Sequence, residues 1–160
     1  SESGSTEIAN DNGGGQIVIS GKMAGIDAAI AIAKEMGIKR AVKLPVSAPF
    51  HSSLMKPAED AMAEALAKAD IAAPVVPVIA NVTAERETDA DTIRNNLVQQ
   101  VTGRVRWRES VATMTGLGVD TFVEIGAGKV LSGLVRRIDP EVSTLSIGTP
   151  ADIETFLKSL

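Results

Sequence analysis

The sequence predicts an α/β domain, and three observations point there. Thr121-Phe122-Val123-Glu124-Ile125 is a short apolar run followed at once by Gly126-Ala127-Gly128 and an amphipathic stretch, the strand-to-helix order of a parallel sheet. Elsewhere runs of strand character alternate with segments of helical spacing. Aromatic residues are scarce, with three Phe, one Trp and no Tyr among 160 residues, so the core must be built from Ala, Val, Ile and Leu in helix-on-sheet contacts. A chain of this length supports one domain with a real hydrophobic core.

Gln16-Ile17-Val18-Ile19-Ser20 reads as a strand, and Glu7-Ile8-Ala9 as its partner across the turn-rich Asn10-Asp11-Asn12-Gly13-Gly14-Gly15, so the pair predicts a β-hairpin. Over residues 23–36 Ile26, Ala29, Ile30 and Ala33 recur at helical spacing, Gly37 stops the helix, and residues 40–44 resume as strand, with a discontinuity expected near 44–47. Pro57 suits the first turn of a helix that continues over residues 58–69 with Met62, Ala65, Leu66 and Ala69 on one face, until Pro74 and Pro77 intervene. Residues 75–82 look extended with a buried strand, Asp89 or Asp91 would cap a helix running to Gln100, and residues 107–117 form another. After the strand at 121–125 comes a helix bearing Val130, Leu131, Leu134, Val135 and Ile138, then a strand over 142–147 and a terminal helix over 151–160.

Composition excludes several classes of function. Without cysteine there is no disulfide, thiolate metal site or cysteine nucleophile, and a single histidine argues against a histidine-rich zinc site, so no metal is expected. No apolar run approaches the roughly 20 residues of a membrane span, and the polar start Ser1-Glu2-Ser3-Gly4-Ser5-Thr6 does not read as a signal peptide, which predicts a cytoplasmic protein without a membrane partner. A formal charge of −4 with few aromatic stacking platforms argues against nucleic acid. Basic residues cluster at Arg104, Arg106 and Arg108 and again at Lys129, Arg136 and Arg137, either as solvated faces or as a landing site for an acidic partner or phosphorylated ligand.

The single histidine, His51, lies in Pro49-Phe50-His51-Ser52, between expected strand and expected helix, where α/β sites are assembled. An imidazole there suits a general base, which needs a nucleophile in reach and an acceptor to orient its other nitrogen. Two glycine-rich segments also invite a phosphate-binding reading. Gly13-Gly14-Gly15 precedes a strand instead of joining strand to helix, so it reads as a turn; Gly126-Ala127-Gly128-Lys129 has the better context but lacks the remaining positions of the known phosphate loops, and reads as a tight turn with close helix packing.

Four blocks carry a family resemblance: Leu44-Pro45-Val46-Ser47-Ala48-Pro49-Phe50-His51-Ser52-Ser53-Leu54-Met55-Lys56-Pro57-Ala58; Val76-Pro77-Val78-Ile79-Ala80-Asn81-Val82-Thr83-Ala84; Leu97-Val98-Gln99-Gln100-Val101 with Val105-Arg106-Trp107-Arg108-Glu109-Ser110; and Phe122-Val123-Glu124-Ile125-Gly126-Ala127-Gly128-Lys129-Val130-Leu131. In order and spacing they resemble the bacterial malonyl-CoA:acyl carrier protein transacylases. The resemblance implies a partial α/β-hydrolase-like parallel sheet over residues 46–160, preceded over 1–45 by part of a ferredoxin-like small subdomain. It also implies a ping-pong transfer of malonyl from coenzyme A to the phosphopantetheine thiol of acyl carrier protein in fatty acid biosynthesis, coenzyme A being substrate carrier and no cofactor being needed. His51 matches the family's catalytic base, and Gln100 the residue whose backbone carbonyl orients it. Phe50 resembles the malonyl-selective pattern and would contact substrate, or else packs in the core.

One departure stands out: no Gly-x-Ser-x-Gly nucleophile elbow occurs in the chain, and Ser52, Ser53 and Ser132 sit on no strand-to-helix elbow. The upstream arginine that pairs with the malonyl carboxylate and the glutamine-bearing oxyanion loop are absent too. The chain thus resembles the C-terminal half of such an enzyme, inactive alone, and is expected to require the complementary half or self-association to cover apolar surface. Two rivals are a polyketide-pathway acyltransferase and a silent module that docks acyl carrier protein through Arg104, Arg106, Arg108 and Arg136.

Overall fold

Left-handed backbone at Gly13, Gly14 and Gly15 (φ 73°, 57° and 78°) turns the chain back on itself, a conformation open to glycine at little steric cost. β1 (Thr6–Asp11) therefore pairs antiparallel with β2 (Ile17–Gly21), with an irregularity between Ile8 and Asn10. This is the expected hairpin. The computed structural model describes residues 5–158, so the first four residues of the expected subdomain over 1–45 lie outside it.

α1 (Met23–Glu35) half-buries Ile26, Ala29, Ile30 and Ala33, the face expected from their spacing, and leaves Met23 and Ile32 exposed. The strand expected over 40–44 does not form. Val42 and Leu44 are exposed and no described strand runs beside them, so their peptide groups lack the neighbour that a ladder needs.

A single 3₁₀ turn, Ser53–Met55, leads into α2 (Lys56–Ala67), with Pro57 in its first turn, where the missing N–H costs nothing. Of the extended segment expected over 75–82, β3 (Val78–Ile79) is the regular part, paired antiparallel with β4 (Arg86–Glu87). Asp89, not Asp91, caps α3 (Ala90–Gln99), its carboxylate accepting from the Thr92 amide at 2.7 Å. α3 packs on α2, and the Arg94 guanidinium donates to the Leu66 carbonyl in the last turn of α2 and to that of Ala69 just beyond it.

After α3 the chain makes a close passage. A Cβ at Gly103 would stand 2.7 Å from the Gln99 carbonyl oxygen and 2.7 Å from Val82 Cγ2, so this residue is glycine for want of space. Val105 then meets β1, its amide donating to Ala9 and its carbonyl accepting from Asp11. α4 (Trp107–Gly116) follows, with Ser110 and Val111 essentially without exposure.

β5 (Thr121–Ile125), α5 (Val130–Ile138) and β6 (Ser143–Ile147) form a β-α-β unit whose strands pair in parallel from Thr121 opposite Ser143 to Ile125 opposite Ile147. α6 (Pro150–Leu157) is opened by a capping box between Thr149 and Asp152; the last two residues of the expected helix lie outside the described ones. The expected parallel sheet is thus represented by one parallel pair, while the two other sheets among the described residues are short antiparallel pairs. Leu134 and Val135 of α5 bury against the pair, but Ile125 of β5 is 81 % and Leu145 of β6 44 % exposed, so its other side is bare apolar surface. No helix among the described residues is long and apolar enough to cross a membrane.

Two substitutions test this packing. Val111→Ala opens space at a site with no exposed surface and should lower stability by about 2 kcal/mol in denaturant unfolding. Gly103→Ala forces the passage at Gln99 and Val82 apart and should cost about 1–3 kcal/mol; unfolding midpoints equal to wild type would contradict the packing described.

Candidate active site around His51

His51 occupies left-handed backbone at φ 55°, which costs a non-glycine residue on the order of 1–3 kcal/mol and persists where the surroundings enforce it. They do so from both sides. Upstream, the wholly buried Ser52 hydroxyl donates to the Pro49 carbonyl at 2.7 Å and closes the bend. Downstream, the Glu7 carboxylate of β1 accepts from the Ser53 amide at 3.1 Å and from its hydroxyl, tying the loop to the hairpin.

The ring faces the C-terminal end of α3. Nδ1 lies 3.0 Å from the Gln100 carbonyl oxygen and 3.1 Å from that of Gly103. Carbonyl oxygens only accept, so both contacts require a proton on Nδ1; the tautomer is inferred from these acceptors. In the neutral ring the lone pair therefore resides on Nε2, the form a base needs, and the imidazolium made by protonating Nε2 faces two carbonyl dipoles. Gln100 supplies its backbone, as its helical conformation at the end of α3 allows (φ −62°, ψ −24°), while its side-chain amide donates to Gly103 O at 3.2 Å. The structure thus brings His51 and Gln100 together. Phe50 adjoins His51 in sequence but is 47 % exposed, so it is not a core residue.

Gly103 is a second acceptor for His51 that sequence reasoning passed over, although a glycine just beyond a helix end is a visible signal of close approach. Glu7, Ser53, Glu59 and Thr102 also hold the loops and carry no such signal: each is an ordinary polar residue until the fold pairs Glu7 with Ser53 and Glu59 with Thr102.

The other candidates resolve locally. The Ser132 hydroxyl is buried and donates to Glu124 at 2.7 Å, and the same carboxylate accepts from the Leu131 and Ser132 amides at 3.1 and 2.8 Å. Glu124 thus occupies the amides at the N-terminus of α5 that a phosphate bound there would need, and these hydrogen bonds, led by that from the Ser132 hydroxyl, hold the Glu124 carboxyl below the usual range. Arg106 and Arg104 pair with Glu109, and Arg108 with Asp11 at 2.8 Å, so the first basic cluster is largely neutralised within the chain. Its hydrogen bond to Arg108 holds the Asp11 carboxyl below its usual range. Arg136 instead donates to the Thr144 hydroxyl at 2.7 Å. Among the described residues no group of His, Cys, Asp and Glu is placed to hold a metal ion.

No family model matches the chain. Sequence comparison finds malonyl CoA-acyl carrier protein transacylases at 46 % identity in Bacillus subtilis, covering 96 % of this chain and 49 % of that protein, and at 43 % in Escherichia coli K12, covering 93 % and 48 %. Structural comparison finds the acyl-carrier-protein-S-malonyltransferase of Bartonella henselae, with a TM-score of 0.92 and 54 % identity over 96 % of this chain and 49 % of that one. It also finds a malonyl-transacylase in complex with its type II PKS acyl-carrier protein, with a TM-score of 0.94 and 38 % identity over 99 % and 52 %. The chain spans about half the length of the relatives it matches. Through that half, in sequence and in fold, it belongs to the malonyl-CoA:acyl carrier protein transacylase family.

Proposed function

We propose that the chain supplies the base of a malonyl-CoA:acyl carrier protein transacylase of fatty acid biosynthesis, acting in the cytoplasm together with the half of the enzyme that bears the nucleophilic serine. The observation that carries this reading is the geometry at His51: Nδ1–H committed to the carbonyls of Gln100 and Gly103, with Nε2 left as acceptor. A base with one nitrogen anchored and the other free is one component of a serine acyl-transfer site. The matching family, and a relative solved with its acyl-carrier protein, support the choice of reaction.

In the first half-reaction the serine oxygen attacks the malonyl thioester carbonyl while His51 Nε2 takes the serine proton. Collapse of the tetrahedral intermediate breaks the carbon–sulfur bond, and the imidazolium returns that proton to the departing coenzyme A thiolate. In the second, the phosphopantetheine thiol of acyl carrier protein gives its proton to Nε2 and attacks the acyl-serine. The proton then passes to the serine oxygen as it leaves. Gln100 acts through its backbone carbonyl alone, and Phe50 lines the malonyl side. No resident cofactor enters this scheme. The polyketide setting differs in the carrier served and shares this chemistry. Silent docking through the arginines is less well supported, since Arg104, Arg106 and Arg108 are paired with Glu109 and Asp11.

The same reading makes residues 1–45 part of a smaller subdomain and 46–160 part of the core. It also assigns the bare side of β5 and α5, where Ile125, Val130 and Leu131 are exposed, to contact with the complementary half. Sedimentation of the chain alone should show self-association, relieved by adding that half; a stable, monodisperse monomer counts against the assignment. With the two halves combined, His51→Ala should cut malonyl transfer to acyl carrier protein by several orders of magnitude, because the groups of such a site act as a unit. Near-normal turnover would sink the reading.

A further inference from the structure

We propose that Thr102 and Glu59 are positioning residues for His51: the hydrogen bond from the Thr102 hydroxyl to the Glu59 carboxylate latches the loop that presents the Gly103 carbonyl to His51 Nδ1. The inference rests on the reading of His51 as the base.

The two acceptors of Nδ1 are held very differently. Gln100 O belongs to the last turn of α3, where the Gln100 amide still donates to Asn96 O at 2.9 Å. Gly103 O lies past α3 on a residue without a side chain; it also accepts from the Gln100 side-chain amide at 3.2 Å, and the Gly103 amide reaches back to Gln99 O at 2.8 Å. Those bonds stay within the end of α3; what ties the loop to another element is Thr102, whose hydroxyl donates to Glu59 on α2, the helix that follows His51 in the chain. Glu59 is itself committed: its side chain is 16 % exposed and Oε1 takes Lys56 Nζ at 2.5 Å, which leaves Oε2 for the threonine.

These contacts close a ring. From His51 the chain runs through the 3₁₀ turn into α2, crosses from Glu59 to Thr102, passes to Gly103, and returns through its carbonyl to the imidazole. A ring of this kind sets the angle of the imidazole plane as well as its tautomer, since one carbonyl leaves rotation about the ring axis free and two do not. A merely stabilising Thr102–Glu59 bond would change the unfolding midpoint and nothing at the imidazole.

Because His51 is the chain's one histidine, histidine labelled with ¹⁵N in the full chain reports a single imidazole. Wild type should show Nδ1 protonated and Nε2 bare. In Thr102→Val, which keeps shape and loses the hydroxyl, intensity should pass partly to the Nε2–H tautomer, and Thr102→Ser should restore the wild-type spectrum. In the combined halves Thr102→Val should lower kcat by on the order of tenfold to a hundredfold with KM unchanged. A folded Thr102→Val with the wild-type imidazole spectrum overturns the latch. Should that variant not fold, Glu59→Gln replaces it: a shift in the same direction supports the latch and an unchanged spectrum overturns it. A wild-type spectrum with the proton on Nε2 would instead overturn the reading of His51 itself.

Discussion

The hydrogen bonds from His51 Nδ1 to the carbonyls of Gln100 and Gly103 organise this half of the molecule. They require the end of α3 to arrive beside a loop that lies far away in sequence. They also require that loop to hold a non-glycine residue in left-handed backbone. Each requirement is met by a contact that has no other evident purpose: Ser52 closing on Pro49, Glu7 reaching from the hairpin to Ser53, and Glu59 reaching from α2 to Thr102. Local strain is tolerated because four separate elements converge to impose it, and the outcome is an imidazole with one nitrogen spoken for and one available.

The remainder of the chain obeys a different constraint. A parallel pair of strands buries one side beneath its crossover helix and needs cover on the other. β5 and β6 have the first and lack the second, with Ile125 and Leu145 facing outward. On the covered side Glu124 nonetheless caps α5 in place of a residue at its N-terminus and fastens Ser132. The unit is finished where it meets its own helix and open where it would meet another layer, which fits a chain spanning half the length of its relatives.

Much of this was legible in the residues because the signals were local. The strand at Thr121–Ile125, the half-buried face of Ile26, Ala29, Ile30 and Ala33, and the cap at Asp89 follow from periodicity and capping chemistry acting within a few residues. The failures are those of context. Residues 40–44 have strand composition but no partner strand, and β propensity without a neighbour does not order a backbone. At the site, His51 stands out as the lone histidine between expected strand and helix and Gln100 follows from a family resemblance, whereas Thr102 and Glu59 act through a contact between distant segments that no spacing rule reveals.

In the proposed reaction this chain contributes the base and the acylated serine belongs to the complementary half. The most direct test is the denatured intact mass of both polypeptides after the combined sample meets malonyl-CoA. One malonyl group on the complementary polypeptide, with the 16.6 kDa chain unmodified, is the expected outcome. Malonyl carried by the 16.6 kDa chain itself, on Ser52, Ser53 or Ser132, would contradict it.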